Sequence, residues 1–297
     1  MRSTQPTGGG WLSTLLLTLP LLLTFTYFSW WPLVRAVVIA LQETNLVDSA
    51  RWVGLDNFRR VLDDPLLATA VKNTLWFTFL ALVFGYPIPI ILAVLISEVR
   101  RWRGLYAGLA YLPVVIPPVA SILLWRVFYD ANPTGTFNTI LGWIGLGPYP
   151  WFQDKSWAMP SIVLLATWSA AGATVIIYLA ALTGVNSELY EAAEVDGASL
   201  WGKIWHVTLP QLRTVLFVTL ILQLIGTLQI FTEPFLLTQG GPANATLTVM
   251  LLVYRYAFGS GGGGDYGAAA ALSLMLAGCL AAFTAVYFRA TRSWSIR

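Results

Sequence analysis

The chain has 297 residues, of which 57% are hydrophobic and 10% charged. A soluble domain carries roughly 25% charge, so one water-exposed globule cannot hide this much apolar surface, and the composition points to a membrane. Seventeen basic residues against fourteen acidic ones give a net charge of +3, too weak and scattered for a nucleic-acid binder. A single cysteine, Cys279, excludes a disulfide framework and a thiolate metal cluster, and a single histidine, His206, excludes a multi-histidine metal site.

Six charge-free runs rich in Leu, Ile, Val, Ala and Phe follow in chain order: Leu12 to Val34, Asn73 to Ser97, Gly104 to Trp125, Ser156 to Ser187, Thr214 to Thr232 and Tyr266 to Phe288. A bilayer core needs about 20 apolar residues in a helix, and hydrocarbon offers the backbone no other partner. The expectation is an all-α membrane protein with six transmembrane helices. The first run reads as an uncleaved span. Its leader holds only Arg2, it exceeds a signal h-region, and Trp30, Trp31 and Pro32 follow where a small-residue cleavage site would stand. The fourth run is too long for one span, so its end lies outside the lipid.

Orientation is read from basic residues in short loops. Arg100, Arg101 and Arg103 follow the second span, and Arg289, Arg292 and Arg297 mark the tail. Six spans put these two groups on one side, the cytoplasmic one, together with both termini and the loop between spans four and five. Arg51, Arg59, Arg60 and Lys72 pull the other way, with Asp48, Asp56, Asp63 and Asp64 beside them. Pro87, Pro89, Pro113, Pro117 and Pro118 interrupt the spans; each removes a backbone donor and kinks a helix. Bent helices either line a path or are simply re-satisfied by their neighbours.

Mid-span ionisable residues, the usual carriers of ion coupling, are absent. Arg35, Arg126 and Glu233 sit at span ends, where snorkelling is the default account. There is no Gly-x-x-x-x-Gly-Lys-Ser/Thr run either. Uphill transport would need energy from another chain. The segment 184–212 is the most patterned loop. Asn186 or Ser187 can cap a helix, Glu188 and Glu191 fall in its first turn, and Gly197 suits its stop. Leu200, Trp201, Ile204 and Trp205 mark a second short helix, and Pro210 fits the first turn of the next span. Such a helix-break-helix is a knob for a partner surface or an interfacial helix lying on lipid.

Glu191-Ala192-Ala193, Asp196-Gly197-Ala198 and Leu209-Pro210 together resemble the "EAA" loop of ABC-importer membrane subunits. Val53 to Phe58, Tyr111-Leu112-Pro113, Gly240-Gly241-Pro242, Tyr254 to Phe258, Gly261 to Gly264 and Asp265-Tyr266-Gly267 are similar to sugar-importer permeases of the maltose type, especially the larger subunit. The resemblance covers roughly Trp52 to Arg292. It implies a type I ABC importer permease fold, with an N-terminal span and external segment over 1–70, a permease core over 71–290 and a cytoplasmic tail over 291–297. It implies an ATPase-coupling role for Glu191, Ala192, Ala193, Asp196, Gly197, Leu209 and Pro210. It further implies a bacterial or archaeal plasma-membrane location and four partners besides the lipid bilayer: a second, different permease subunit, two ATPase subunits and an external solute-binding protein. ATP and magnesium would belong to the ATPases, with no cofactor or metal in this chain. The larger maltose subunit's extra N-terminal spans and external domain have no counterpart here, since Leu41 to Val71 is too short for that domain.

Thr219, Gln223, Gly226, Thr227 and Ile230 recur every three or four residues, on one helix face. Gln and Thr there either bond a neighbouring helix or face a wet path. A gapless reading against the maltose subunit places its sugar-contacting positions opposite Gln223, Gly226, Thr227 and Ile230, and opposite Ala170 and Ala173 in the preceding span. Hydroxyls, amides and rings suit a neutral sugar or oligosaccharide. An anionic solute such as a phosphorylated polyol would want Arg or Lys. The rival class is an intramembrane aspartyl protease, for which Tyr129-Asp130 and Gly262-Gly263-Gly264-Asp265 are the residues to weigh. Both aspartates fall at span ends, away from where a peptide bond would be cut.

Overall fold

The computed structural model describes residues 10–99, 101–259 and 264–291. Arg2, Arg100, Gly261 to Gly263, Arg292 and Arg297 lie outside the described residues. The contacts divide the chain into two units, Met1–Asp64 with Val253–Gly278 and Pro65–Leu252 with Cys279–Arg297.

The first unit opens with α1 (Gly10–Phe25), a π turn (Thr26–Trp30) and α2 (Trp31–Ala40). These join into a 30-residue apolar stretch, Trp11–Ala40, long enough to cross a bilayer. A two-residue antiparallel hairpin follows, Gln42–Glu43 against Arg51–Trp52, and then α3 (Asp56–Asp63). The fully buried Asn57 ties them together by donating to the carbonyls of Ala40 at 2.8 Å and Gln42 at 2.9 Å. Gly267 is packed so closely on this knot that a Cβ would overlap the Gln42 carbonyl oxygen. Arg60 pairs with Asp265 at 2.8 Å, and the Tyr256 hydroxyl donates to Asp64.

The second unit starts with α4 (Pro65–Leu80), a π turn (Ala81–Gly85) and α5 (Pro87–Glu98). Next come α6 (Arg103–Val115), α7 (Pro118–Phe128), α8 (Thr136–Gly142) and the 29-residue α9 (Lys155–Thr183). The loop helices α10 (Ser187–Val195) and α11 (Leu200–Lys203) lead through a π turn (Ile204–Thr208) into α12 (Leu209–Leu228) and the short α13 (Thr232–Leu237). The chain then forms α14 (Val249–Phe258) and α15 (Tyr266–Thr291).

Among the described residues, five helical stretches are long and apolar enough to span: Trp11–Ala40, Pro65–Glu98, Lys155–Thr183, Leu200–Leu237 and Tyr266–Thr291. The expected third span is not a straight helix. α6 and α7 meet at 95° around Ile116 and Pro117, and make the sixth span only if counted as one. Two adjacent prolines explain the break. Pro117 biases Ile116 to extended backbone, and Ile116 has ψ 129°.

Other prolines are absorbed without a break. Each π turn ends just before one: Trp30 before Pro32, Gly85 before Pro87, Thr208 before Pro210. A π turn shifts its closing hydrogen bond to the fifth residue, as Tyr86 N–H to the Ala81 oxygen shows at 2.9 Å. That slack lets a residue with no N–H enter without forcing its ring onto the carbonyl four residues back. α11 and α12 therefore belong to one helical stretch, and Pro210 sits inside it rather than opening a separate span.

The core of the second unit lies around α9. Asp154 caps it by accepting from Ser156 N–H at 2.8 Å. Gly172 lets α6 approach closely, since a Cβ there would overlap the Ala110 carbonyl oxygen. Tyr178 is fully buried and shares a 2.7 Å hydrogen bond with Thr219 of α12. The hydroxyls of Tyr86 and Tyr287 donate to the Leu216 and Phe217 carbonyls, each at 2.7 Å, so three tyrosines grip one stretch of α12. Near the start of α9, Trp125, Tyr129, Phe137 and Trp151 form an aromatic cluster.

Candidate functional site: a loop knob and an apolar cavity

The knob is built from local rules. The Asn186 side chain, rather than Ser187, caps α10 by accepting from Glu188 N–H at 3.1 Å. α10 ends in a Schellman motif. Gly197 N–H donates to Glu194 at 3.0 Å and Ala198 N–H to Ala193 at 2.9 Å, with Gly197 at φ +75°. Ser199 then caps α11, Lys203 pairs with Glu194 at 2.7 Å, and Tyr190 bonds Thr208 at 3.1 Å. These bonds close the hairpin on itself.

The outer surface of the hairpin stays uncovered. Val195 is 88% exposed, and Trp201 and Trp205 are exposed as well. Glu191, Ala192, Asp196 and Gly197 are exposed, and Ala193 is half-buried. A Cβ on Gly197 would meet nothing within 4 Å, so glycine is required there by its backbone angle and not by crowding within the chain. Leu209 and Pro210 lie at the start of α12, with Leu209 half-buried and Pro210 exposed. His206 Nδ1 is 3.0 Å from the Gly202 carbonyl oxygen, one turn back on an exposed surface.

The second feature is a cavity of about 440 Å³ bounded by α4, α5, α9, α12 and α13. Ala170, Ala173, Gln223, Gly226, Thr227 and Ile230 all line it, so the structure brings the six path residues to one space. The volume lies within the range of small-molecule sites. Gln223 also makes the interhelix bond that a bland reading would give it: its Nε2 donates to the Ala81 carbonyl at 2.8 Å, at the mouth of the π turn. A Cβ on Gly85 would press on Thr167 Oγ1 at 3.0 Å and on Gln223 Nε2 at 3.3 Å, which shows how close these groups lie. The lining is mostly apolar, with Phe77 as its one aromatic ring.

Two lining residues were not legible as such. Thr167 carries no local signal in an apolar run. By sequence Glu233 reads as an end-of-span charge reaching for the interface. Instead, the chain leaves helical form at 229–231 and resumes as α13, which sets Glu233 in the cavity wall.

The two aspartates of the protease reading have structural work. Asp130 accepts from the backbone and side-chain amides of Asn132, at 3.1 and 2.8 Å. Asp265 pairs with Arg60 and accepts from Ala268 N–H at 2.9 Å, capping α15. No group of three or more metal-binding side chains is found among the described residues.

Comparison with known proteins accords with this architecture. The arabinooligosaccharides transport system permease protein AraP of Halalkalibacterium halodurans is 35% identical over 233 residues, 78% of this chain and 73% of that protein. The lactose transport system permease protein LacF of Rhizobium radiobacter is 33% identical over 249 residues, 82% of this chain and 81% of that protein. The trehalose/maltose transport system permease protein MalF of Thermococcus litoralis is 31% identical over 278 residues, covering 93% and 92%. In a crystal structure of a bacterial alginate ABC transporter in complex with alginate pentasaccharide-bound periplasmic protein, one chain superposes with a TM-score of 0.83. It is 29% identical and covers 95% of this chain and 94% of its own. The family described as binding-protein-dependent transport system inner membrane component matches residues 85–293. A membrane-embedded helical core, an exposed knob between its spans and this match over most of its length establish that the chain belongs to the binding-protein-dependent transport system inner membrane components.

Proposed function

We propose that this chain is one of two different permease subunits of an ATP-driven importer for a neutral sugar or oligosaccharide. Two ATPase subunits would bind at the knob from the cytoplasmic side, and an external binding protein would deliver the solute. ATP and magnesium would act in the ATPases. The observation that carries the reading is the pairing of an uncovered, internally braced knob with a cavity on the same stretch, Leu200–Leu237. A push on the knob is transmitted along α12 because the tyrosine contacts and the Lys203–Glu194 pair leave little slack. Rocking of α12 against α9 would then open the cavity alternately to each side.

The carbohydrate assignment draws on the substrates named for the relatives and on the uncharged character of most of the lining. A phosphorylated polyol finds no lysine or arginine in this chain's cavity lining. The test is reconstitution of the complete importer in vesicles with labelled neutral oligosaccharides. Uptake is expected only with ATP and the binding protein present. Accumulation by vesicles containing this chain alone, without ATP, would refute the reading.

A further inference from the structure

We propose that Glu233 sets the solute class of the cavity: it accepts hydroxyl hydrogens from an uncharged saccharide and turns away carboxylated, uronate-type saccharides. This rests on the carbohydrate reading above and narrows it. Glu233 is the one ionisable side chain in the cavity lining, and no salt bridge involving it is found among the described residues. Against a mostly apolar wall the Glu233 carboxylate has a backbone N–H as a donor and room to accept further ones. A sugar diol supplies two O–H donors to two carboxylate oxygens, whereas a second carboxylate adds like charge beside the first.

Three other polar side chains of the lining already bond the protein, while the hydroxyls of Thr167 and Thr174 also line the cavity. Gln223 gives an N–H to the Ala81 carbonyl. Thr227 gives its hydroxyl hydrogen to the Leu224 carbonyl at 3.1 Å. Thr219 lies within bonding distance of the Val215 and Leu216 carbonyls and of Tyr178. What faces the cavity therefore combines a single carboxylate, Glu233, with neutral groups that both donate and accept, the Gln223 amide and the threonine hydroxyls. An uncharged polyol matches this set, whereas a uronate, though it too has hydroxyls, brings carboxylates that meet the like charge of Glu233.

The assembled membrane complex, both permeases with their ATPases, is the object to test, without the binding protein so that its own selectivity is removed. Equilibrium binding of maltotriose, arabinotriose and galactotriose is compared with that of trigalacturonate. At least one neutral trisaccharide is expected to bind about tenfold or more tighter than the acidic one. Glu233→Gln should cut that ratio about tenfold, and Glu233→Lys should favour trigalacturonate. Equal binding of the two classes by the unmodified complex, an unchanged ratio in Glu233→Gln, or no binding of any neutral probe overturns the inference. If Glu233→Gln fails to co-purify with the ATPases, the unmodified ratio and that of Glu233→Asp decide, the latter expected to keep the neutral preference. Failure of the complete importer to take up any saccharide with ATP would instead bring down the carbohydrate reading itself.

Discussion

Gly197 shows how one residue can carry two separable costs. Its φ of +75° closes the Schellman motif, and space around it is open. Gly197→Ala should cost about 1 kcal/mol of local stability through the left-handed backbone alone. Gly197→Arg adds bulk and charge at the knob surface. Its expected outcome is normal membrane insertion with loss of ATPase co-purification and of uptake, while Gly197→Ala keeps both. Unimpaired uptake by the arginine variant would count against the coupling role.

Asn138 is a residue of the opposite kind, buried and fully employed. Its two amide hydrogens are shared among the carbonyls of Asp130, Ala131, Asn132 and Tyr149, which lie 3.1–3.3 Å from Nδ2, and its oxygen accepts from Tyr149 N–H at 2.9 Å. Asn138→Ala strands these groups and should cost about 2–3 kcal/mol. The readout is faster amide exchange across 130–149 with exchange in α10 unchanged.

Between elements, the decisive contact is the close approach of α6 and α9 at Gly172. Any side chain there meets the Ala110 backbone, which cannot move as a flexible side chain can. Gly172→Val should separate the helices at a cost of about 1–3 kcal/mol. A lower melting temperature of the purified complex checks it, and melting like the unmodified complex would show that α6 yields freely. The prolines belong to this scale as well. Their sequence spacing promised kinks in α5, yet a π turn takes up the missing donor and the helix runs on. The same chemistry at Pro117 and Pro118, with no π turn before it, turns the chain through 95°.

For the whole molecule, the testable property is sidedness. Val195 at the knob and Val47 after the short hairpin strand are both highly exposed, at 88% and 87%, so single cysteines there will report it. With Cys279 replaced by serine, an impermeant thiol reagent applied to intact cells should label a cysteine at 47 and spare one at 195. The reverse pattern would show that Arg51, Arg59, Arg60 and Lys72 outweigh the loop and tail arginines in setting topology.

Sequence by itself determined the membrane class, the knob and its caps, and the helix face that carries Gln223, Gly226 and Thr227. These follow from composition, from residues a few positions apart, and from 3.6-residue periodicity, all of which are local. Tertiary structure alone decided that α6 and α7 part at an angle, that Gln223 spends an amide on Ala81, and that Glu233 enters the cavity wall. The reason is physical. Pro32, Pro87 and Pro210 follow turns that widen, Pro20, Pro113 and Pro160 sit inside helices without one, and Pro117 with Pro118 breaks the chain, so a proline's effect depends on its packing as well as its spacing; a polar group's role likewise depends on which distant backbone atom lies within 3 Å. Neither is written in the neighbouring residues. The interruption at 229–231 turns a charge that would otherwise reach for water toward the interior, and only the packing of α13 against its neighbours fixes that direction.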